Sequence, residues 1–243
     1  MSNLQTADYI TVAMSRFIQD GERVFHGVAS PMPAIAIQLA KRLHAKNAVY
    51  LSIAGGVDAK PSTYDLHSTA AAQLSEGTIT EFTLADIFDL SARGELDIAF
   101  LSGAQIDGYG RLNLSAIGPF HKPKIRLPGG AGSAALLPTV KRGVLWKTAH
   151  DKRGFVDNLD VITAAGNTEI VITPLGIFKK SLDDQRLCLY AIFPGATMDE
   201  IIENTGFTVV KHEEFKEFPE ITVKEKQLLA KIDPDGLRFS EFQ

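Results

Sequence analysis

Residues 84–103 read LADIFDLSARGELDIAFLSG, and this stretch decides the fold class. Thr83 precedes it and Asp86 follows three residues on, the spacing at which a hydroxyl and a carboxylate satisfy each other's N–H groups at a helix start. The helix so predicted stops at Gly94. LDIAFLSG then reads as a short apolar strand of the kind covered on both faces. The same rhythm runs in both directions. Residues 6–19 put Ile10, Ala13, Met14, Phe17 and Ile18 on one helical face, and Gly21 ends that pattern. A strand from Arg23 to Val28, a helix through Ile35, Leu39, Ala40 and Leu43, and a strand from Ala48 to Ile53 follow. Downstream, Asp160–Ala164, Glu169–Thr173 and Arg186–Phe193 are predicted strands. Thr197 and Glu200 open a helix ending at Gly206, and Thr222 and Glu225 repeat that box before a last helix stopped by Asp233-Pro234. Strands separated by helices predict an α/β fold, a mainly parallel sheet with helices on both faces. With no linker or low-complexity tract, residues 1–243 are expected to form a single domain.

Lys and Arg number 25 against 29 Asp and Glu, a net charge of −4, so the basic footprint of a nucleic-acid binder is not expected. The single cysteine, Cys188 in LCLYAIF, excludes an internal disulfide and reads as a small core residue. No basic leader precedes an apolar run, and no window approaches the roughly 18 apolar residues of a membrane span. No membrane association is expected, and the location implied is cytoplasmic.

Ligands of open α/β sheets sit beyond the carboxyl ends of the strands, which directs attention to GVASPMP, AGGVDAKPS, GAQIDGYGRLNLS and LPGGAGSAA. In residues 127–134 the glycines free the backbone to turn its N–H groups toward a phosphate or an oxyanion. In residues 106–115, Asp107, Gly108 and Gly110 favour a turn. Asn113 there is either a satisfied hairpin residue or, held beside a carbonyl carbon, an oxyanion donor. His26, His67, His121 and His150 have no partner at a telling spacing, and no metal-ligand cluster is evident. Only His26, at a strand end, is placed to face a site.

DGYGRLN at 107–113 followed by LPGGAGS at 127–133 resembles the paired motifs of β-type subunits of class I CoA-transferases, of the glutaconate CoA-transferase-like type. The resemblance continues through ADYITVAMSRFIQDGERVFHGVASPMPAIAIQLAKRLHA, VITPLGIF, FPGATMDEIIENTGF and IDPDGLRF, nearly the whole chain. It implies that Asn113 is an oxyanion donor and that Gly129, Gly130, Ala131, Gly132 and Ser133 form the CoA or oxyanion loop. His26, Ala54, Gly55 and Tyr109 would line the substrate pocket. Arg111 stands where the family often has Asn.

Transferases of the family carry E-x-G in the second loop, with Glu as the nucleophile that becomes a glutamyl-CoA adduct. Here the sequence is Ala54-Gly55-Gly56, and a methyl group attacks nothing. Asp58 lies two residues past the motif, and Glu76, Glu81 and Glu95 sit in polar surroundings. The resemblance is nearest to the ring-cleaving CoA hydrolase branch, whose catalytic Glu lies on the other subunit and activates water. It implies an α-type partner, in an α2β2 assembly, no permanently bound cofactor, and CoA as part of the substrate. A glutaconate-type transferase subunit and a non-catalytic scaffold are the alternatives.

Overall fold

A computed structural model describes residues 3–27, 31–62 and 71–242. The middle of GVASPMP and His67 lie outside these residues. The chain folds into two compact units, residues 2–100 with 220–243, and residues 101–219.

The first unit opens with α1 (Asn3–Arg16), β1 (Arg23–His26), α2 (Pro31–Leu43), β2 (Val49–Leu51), β3 (Gly56–Val57), β4 (Thr80–Glu81), α3 (Leu84–Ala92) and β5 (Ile98–Leu101). Its strands run in the order β5-β1-β2-β3-β4. β1 pairs in parallel with both β2 and β5, while β3 and β4 add on antiparallel. β1 and β5 are buried almost throughout because both faces are covered, which removes the alternation of a half-solvated strand. α2 buries Pro31 through Ala40, so Pro31-Met32-Pro33, expected as loop, is the first helical turn, where a missing proline N–H costs nothing. Thr83 and Asp86 cap α3 reciprocally, as the sequence predicts.

The second unit holds β6 (Gln105–Asp107), β7 (Leu112–Asn113), β8 (Ala116–Ile117), β9 (Ile125–Arg126), α4 (Ser133–Leu136), β10 (Arg142–Trp146), β11 (Phe155–Val156), β12 (Thr168–Ile172), β13 (Gly176–Lys180), β14 (Leu187–Ile192), α5 (Met198–Asn204) and β15 (Lys211–Glu217). β10 and β12 are parallel, β12, β13 and β14 form an antiparallel meander, and β15 returns parallel to β14. The fold is α/β, with parallel strands at the heart of the first unit and a mixed order in the second. Two expectations are corrected. Asp160–Ala164 is not a strand: only Ala164 bridges, to Leu112. GIFKK forms a strand that the sequence pattern did not mark.

The chain returns to the first unit with α6 (Val223–Ile232), opened by the reciprocal Thr222–Glu225 box. The motif IDPDGLRF that follows is structural. Buried Asp233 accepts from the N–H groups of Leu237 and Arg238 and from Arg238 Nη1 at 2.7 Å, while Arg238 Nε reaches Asp8 at 2.7 Å. The carboxylates of Asp8 and Asp233 thereby tie the chain end to α1 through one guanidinium. No helix among the described residues is long and apolar enough to cross a membrane.

Candidate functional site

In the first unit, β1 and β2 end side by side, so the residues following them share the carboxyl edge. His26 closes β1. It is 1 % exposed and both ring nitrogens are engaged, Nδ1 with the Gly27 carbonyl at 3.0 Å and Nε2 with the Tyr50 hydroxyl at 2.9 Å. Burial lowers its pKa to about 4 and raises that of Tyr50 to about 12. The pair is therefore neutral at ordinary pH, with Nδ1–H donating to Gly27 and the tyrosine hydroxyl donating to Nε2. That is a satisfied core histidine.

The segment after β2 turns at Ser52–Gly55, where Gly55 N–H donates to the Ser52 carbonyl at 2.9 Å. Gly55 has φ +96°, and a Cβ there would lie 2.7 Å from the Phe82 carbonyl oxygen, so the position requires glycine. Ala54 sits beside it, half-buried, held by backbone alone: its N–H donates to Ser52 Oγ and its carbonyl accepts from Ser75 Oγ, each at 3.3 Å. The nearby Asp58 is committed elsewhere. Its Oδ1 lies 2.6 Å from Lys41 Nζ and accepts from Tyr50 N–H at 2.9 Å. Asp58 thus ties α2 to β2 and does not substitute for a nucleophile at the turn.

In the second unit, the DGYGR turn is organised by Asp107. Its carboxylate accepts from Tyr109 N–H and Arg111 N–H at 3.0 Å and from Arg111 Nε at 2.6 Å. Arg111, where the family often has Asn, therefore supplies its own charged partner to the turn. Gly110 has φ +71°, and a Cβ there would meet Thr168 Cγ2 at 2.6 Å. Thr168 at the start of β12 donates to the Gly110 carbonyl, and Leu187 N–H, at the start of β14, donates to that of Gly108. Tyr109, 42 % exposed between the guanidinium groups of Arg111 and Arg186, thus lies where β12 and β14 begin and not at their carboxyl ends.

Asn113 is wholly buried, and its amide is spent inward. Nδ2 donates to Gln105 Oε1 at 2.9 Å and to the Ala116 carbonyl at 2.7 Å, while Oδ1 accepts from the N–H groups of Ser115 and Ala116. Both amide protons are used, so in this arrangement it presents none to a ligand. It shapes the loop instead.

That loop meets the Gly-rich one. Gly129 N–H donates to the Leu114 carbonyl at 2.7 Å, and Thr163 Oγ1 accepts from Leu114 N–H at 2.9 Å and shares a hydrogen bond with Ser115 Oγ at 2.7 Å. Gly130 rests on the same threonine, where a Cβ would come within 2.7 Å of Thr163 Cγ2. Gly129 at φ +98° and Ala131 at φ +43° take up left-handed backbone, and the N–H groups of Gly130, Ala131 and Gly132 have no acceptor among the described residues. Ser133 N–H closes the turn onto the Gly130 carbonyl. Successive free N–H groups in such a turn form a concavity for an anion.

Three supporting residues have no sequence signature. Gln105 holds Asn113, and Thr163 holds both loops. Lys147 Nζ, its pKa lowered by burial, donates to the carbonyls of Gly103 and Ala104 at 2.9 Å and fixes the start of the hairpin. His150 is bound by Thr173 and Thr205 and has its pKa lowered to about 4 by burial. Cys188 is half-buried with its thiol pKa pushed up by burial.

A turn that leaves the N–H groups of Gly130, Ala131 and Gly132 without acceptors among the described residues suits an enzyme of acyl-group chemistry, and sequence comparison gives the class: the profile of the Coenzyme A transferase family matches residues 7–204, and the chain belongs to that family. Within it, the chain is a class I subunit of the β type. It is 30 % identical over 251 residues to the β-type subunit of 3-oxoadipate CoA-transferase from Pseudomonas knackmussii, covering 96 % of this chain and 95 % of that one. It is 28 % identical over 173 residues to the cholesterol ring-cleaving hydrolase IpdB subunit of Rhodococcus jostii, covering 64 % of this chain and 66 % of that one. The crystal structure of the decarboxylase AibA/AibB superposes with a TM-score of 0.89 at 32 % identity, over 97 % of each chain.

Proposed function

We propose that this chain is the β-type subunit of a heteromeric enzyme that acts on the acyl part of a CoA thioester without forming a covalent adduct on this subunit. The chemistry we assign is hydrolytic opening of a ring in a steroid-derived CoA thioester. The observation that carries the proposal is Ala54: the turn that in the family's transferases presents a glutamate presents a methyl group, and the adjacent Asp58 is held by Lys41.

The chain's own contribution is polarisation. The N–H groups of Gly130, Ala131 and Gly132 donate to negative charge developing on the thioester oxygen, and Asn113 with Thr163 hold that loop in shape. Water replaces the missing nucleophile, activated by a carboxylate on an α-type partner. CoA enters as part of the substrate, and no resident cofactor is required. IpdB is named as a subunit of a ring-cleaving hydrolase, which supports this assignment. The greater identity to a transferase subunit favours a second proposal, transfer of CoA between carboxylic acids with the nucleophile supplied by the partner.

The test is co-expression with an α-type partner and incubation with a panel of CoA thioesters, with and without acceptor acids. Consumption of a ring-bearing thioester without acceptor supports hydrolysis. Strict dependence on an acceptor acid overturns it in favour of transfer. Turnover by the isolated chain would refute the need for a partner.

A further inference from the structure

Immediately before the Gly-rich loop the chain makes a narrow two-stranded arm. Ala116 pairs with Arg126 and Ile117 with Ile125, and the ribbon continues through Leu127 N–H to the Ser115 carbonyl and Gly129 N–H to the Leu114 carbonyl. Its base is therefore continuous with the proposed oxyanion loop. Its tip turns at Gly118, φ +89°, whose N–H is anchored on Asp160 at 2.8 Å, and closes through Lys122 N–H to the Pro119 carbonyl.

The tip sequence, PFHKPKIR at 119–126, holds Lys122, Lys124 and Arg126 and no acidic residue, in a chain whose net charge is −4. All three cations are exposed and none pairs with a described carboxylate. Phe120 and Ile125 are 51 % and 52 % exposed, and the Arg126 guanidinium sits 5.3 Å from the centre of the Phe120 ring. Folding gains nothing from leaving an aromatic ring and unpaired like charges together in water, since the charges repel one another and the apolar surface stays hydrated. An exposed aromatic ring with a guanidinium beside it and two lysines in the same turn suits a ligand that is both flat and anionic.

We propose that this arm binds the phosphorylated adenosine end of the CoA thioester, with Phe120 stacking on the base and Lys122, Lys124 and Arg126 meeting the phosphates. This deepens the acyl-CoA proposal and rests on it. A terminal phosphate monoester alone carries about −1.5 to −2 at neutral pH, opposite in sign to the three cations of the arm.

The experiment is calorimetric titration of the full chain with coenzyme A, adenosine 3′,5′-bisphosphate and pantetheine. It compares the wild type with Lys122→Gln/Lys124→Gln/Arg126→Gln and with Phe120→Ala. We expect the triple variant to lose about tenfold or more in affinity for coenzyme A and for the bisphosphate, and none for pantetheine. Phe120→Ala should weaken both nucleotides several-fold, and wild-type affinity should fall as salt rises. Because every substituted side chain is exposed, the melting temperature should not move. Single Lys122→Gln and Lys124→Gln variants, each weakening the bisphosphate, give the same answer if the triple variant is unstable. Undiminished nucleotide affinity in all variants overturns the proposal. Loss of partner capture with unchanged nucleotide affinity also overturns it and makes the arm a subunit interface. Absence of coenzyme A binding by wild-type chain, alone and with its partner, instead refutes the acyl-CoA proposal itself.

Discussion

Asn113 and Gln105 face one another across the base of the β6–β7 hairpin, the amide of the first donating to the side-chain carbonyl of the second at 2.9 Å. Because the other amide proton goes to the Ala116 carbonyl and Oδ1 takes two backbone N–H groups, Asn113→Ala strands several buried polar atoms at once. Each such orphan costs roughly 1–3 kcal/mol. We expect the variant to melt several degrees lower, and its complex to lose kcat through disorder of the loop carrying Gly130. An unchanged melting temperature together with a fall of about 10²–10³ in kcat would instead make Asn113 a direct oxyanion donor.

His26 and His150 both have pKa values near 4 because burial disfavours their charged forms. The unfolded chain protonates them near 6.5, so it binds more protons than the folded chain between about 6.5 and 4. Stability from these groups is complete above that window and is lost as pH falls through it, on the order of 3 kcal/mol for each by pH 4. Urea denaturation from pH 7.5 to 4.5 should show this slope. His26→Gln should make it shallower while lowering stability at pH 7. An identical slope in wild type and variant would mean that His26 titrates normally.

Arg238 Nη1 lies 2.7 Å from Asp233 Oδ2, and the carboxylate is almost inaccessible. Removing one member of such a pair leaves a buried charge without its counterion, at a cost of about 3–5 kcal/mol. Arg238→Ala should therefore unfold far more readily than wild type. Arg238→Lys should recover only part, because the guanidinium also bonds Asp8 and an ammonium cannot span both carboxylates with the same fork. A loss under about 1 kcal/mol, the range of an ordinary exposed ion pair, would show that the motif is not a stability element.

Local chemistry was legible in the sequence where it is self-contained. Thr83 with Asp86 and Thr222 with Glu225 form complete caps because both partners lie within one turn. At α5 only Thr197 caps, accepting from Glu200 N–H, so the same T-x-x-E spacing produces half the motif. Asp160–Ala164 has the composition of a strand, yet its residues pass over the hairpin and bond it through Thr163 and Ala164, a tertiary choice that spacing does not encode. GIFKK begins at the glycine of the punctuation Pro174-Leu175-Gly176 and pairs on both sides only because β12 and β14 flank it. The Gly-rich loop was identifiable from its glycines. The commitment of the Asn113 amide was not, since Gln105 reaches it from 8 residues away in the chain and Thr163 reaches the adjoining Leu114 from 49.

Ala54 allows a direct test of where the family's nucleophile would stand. Its turn is held by backbone atoms and by the hydroxyls of Ser52 and Ser75, none of which involves the Ala54 methyl group. Ala54→Glu should therefore leave the turn intact and place a carboxylate at the family's catalytic position. In complex with an α-type partner and an acyl-CoA, that carboxylate can attack the thioester carbon, forming a mixed anhydride and releasing CoA thiolate. The thiolate can then attack the glutamyl carbonyl, giving a glutamyl-CoA thioester and the free acid. We expect a fraction of the chain to gain the mass of bound CoA, to lose it to hydroxylamine, and to exchange CoA weakly between carboxylic acids. Acceptor-independent turnover should fall, because acyl-CoA captured by the new carboxylate is withdrawn from direct attack by water. Absence of any adduct in a variant with wild-type stability and intact partner binding would mean that the Ala54 side chain does not occupy the nucleophile's position, and would remove the observation on which the non-covalent mechanism rests.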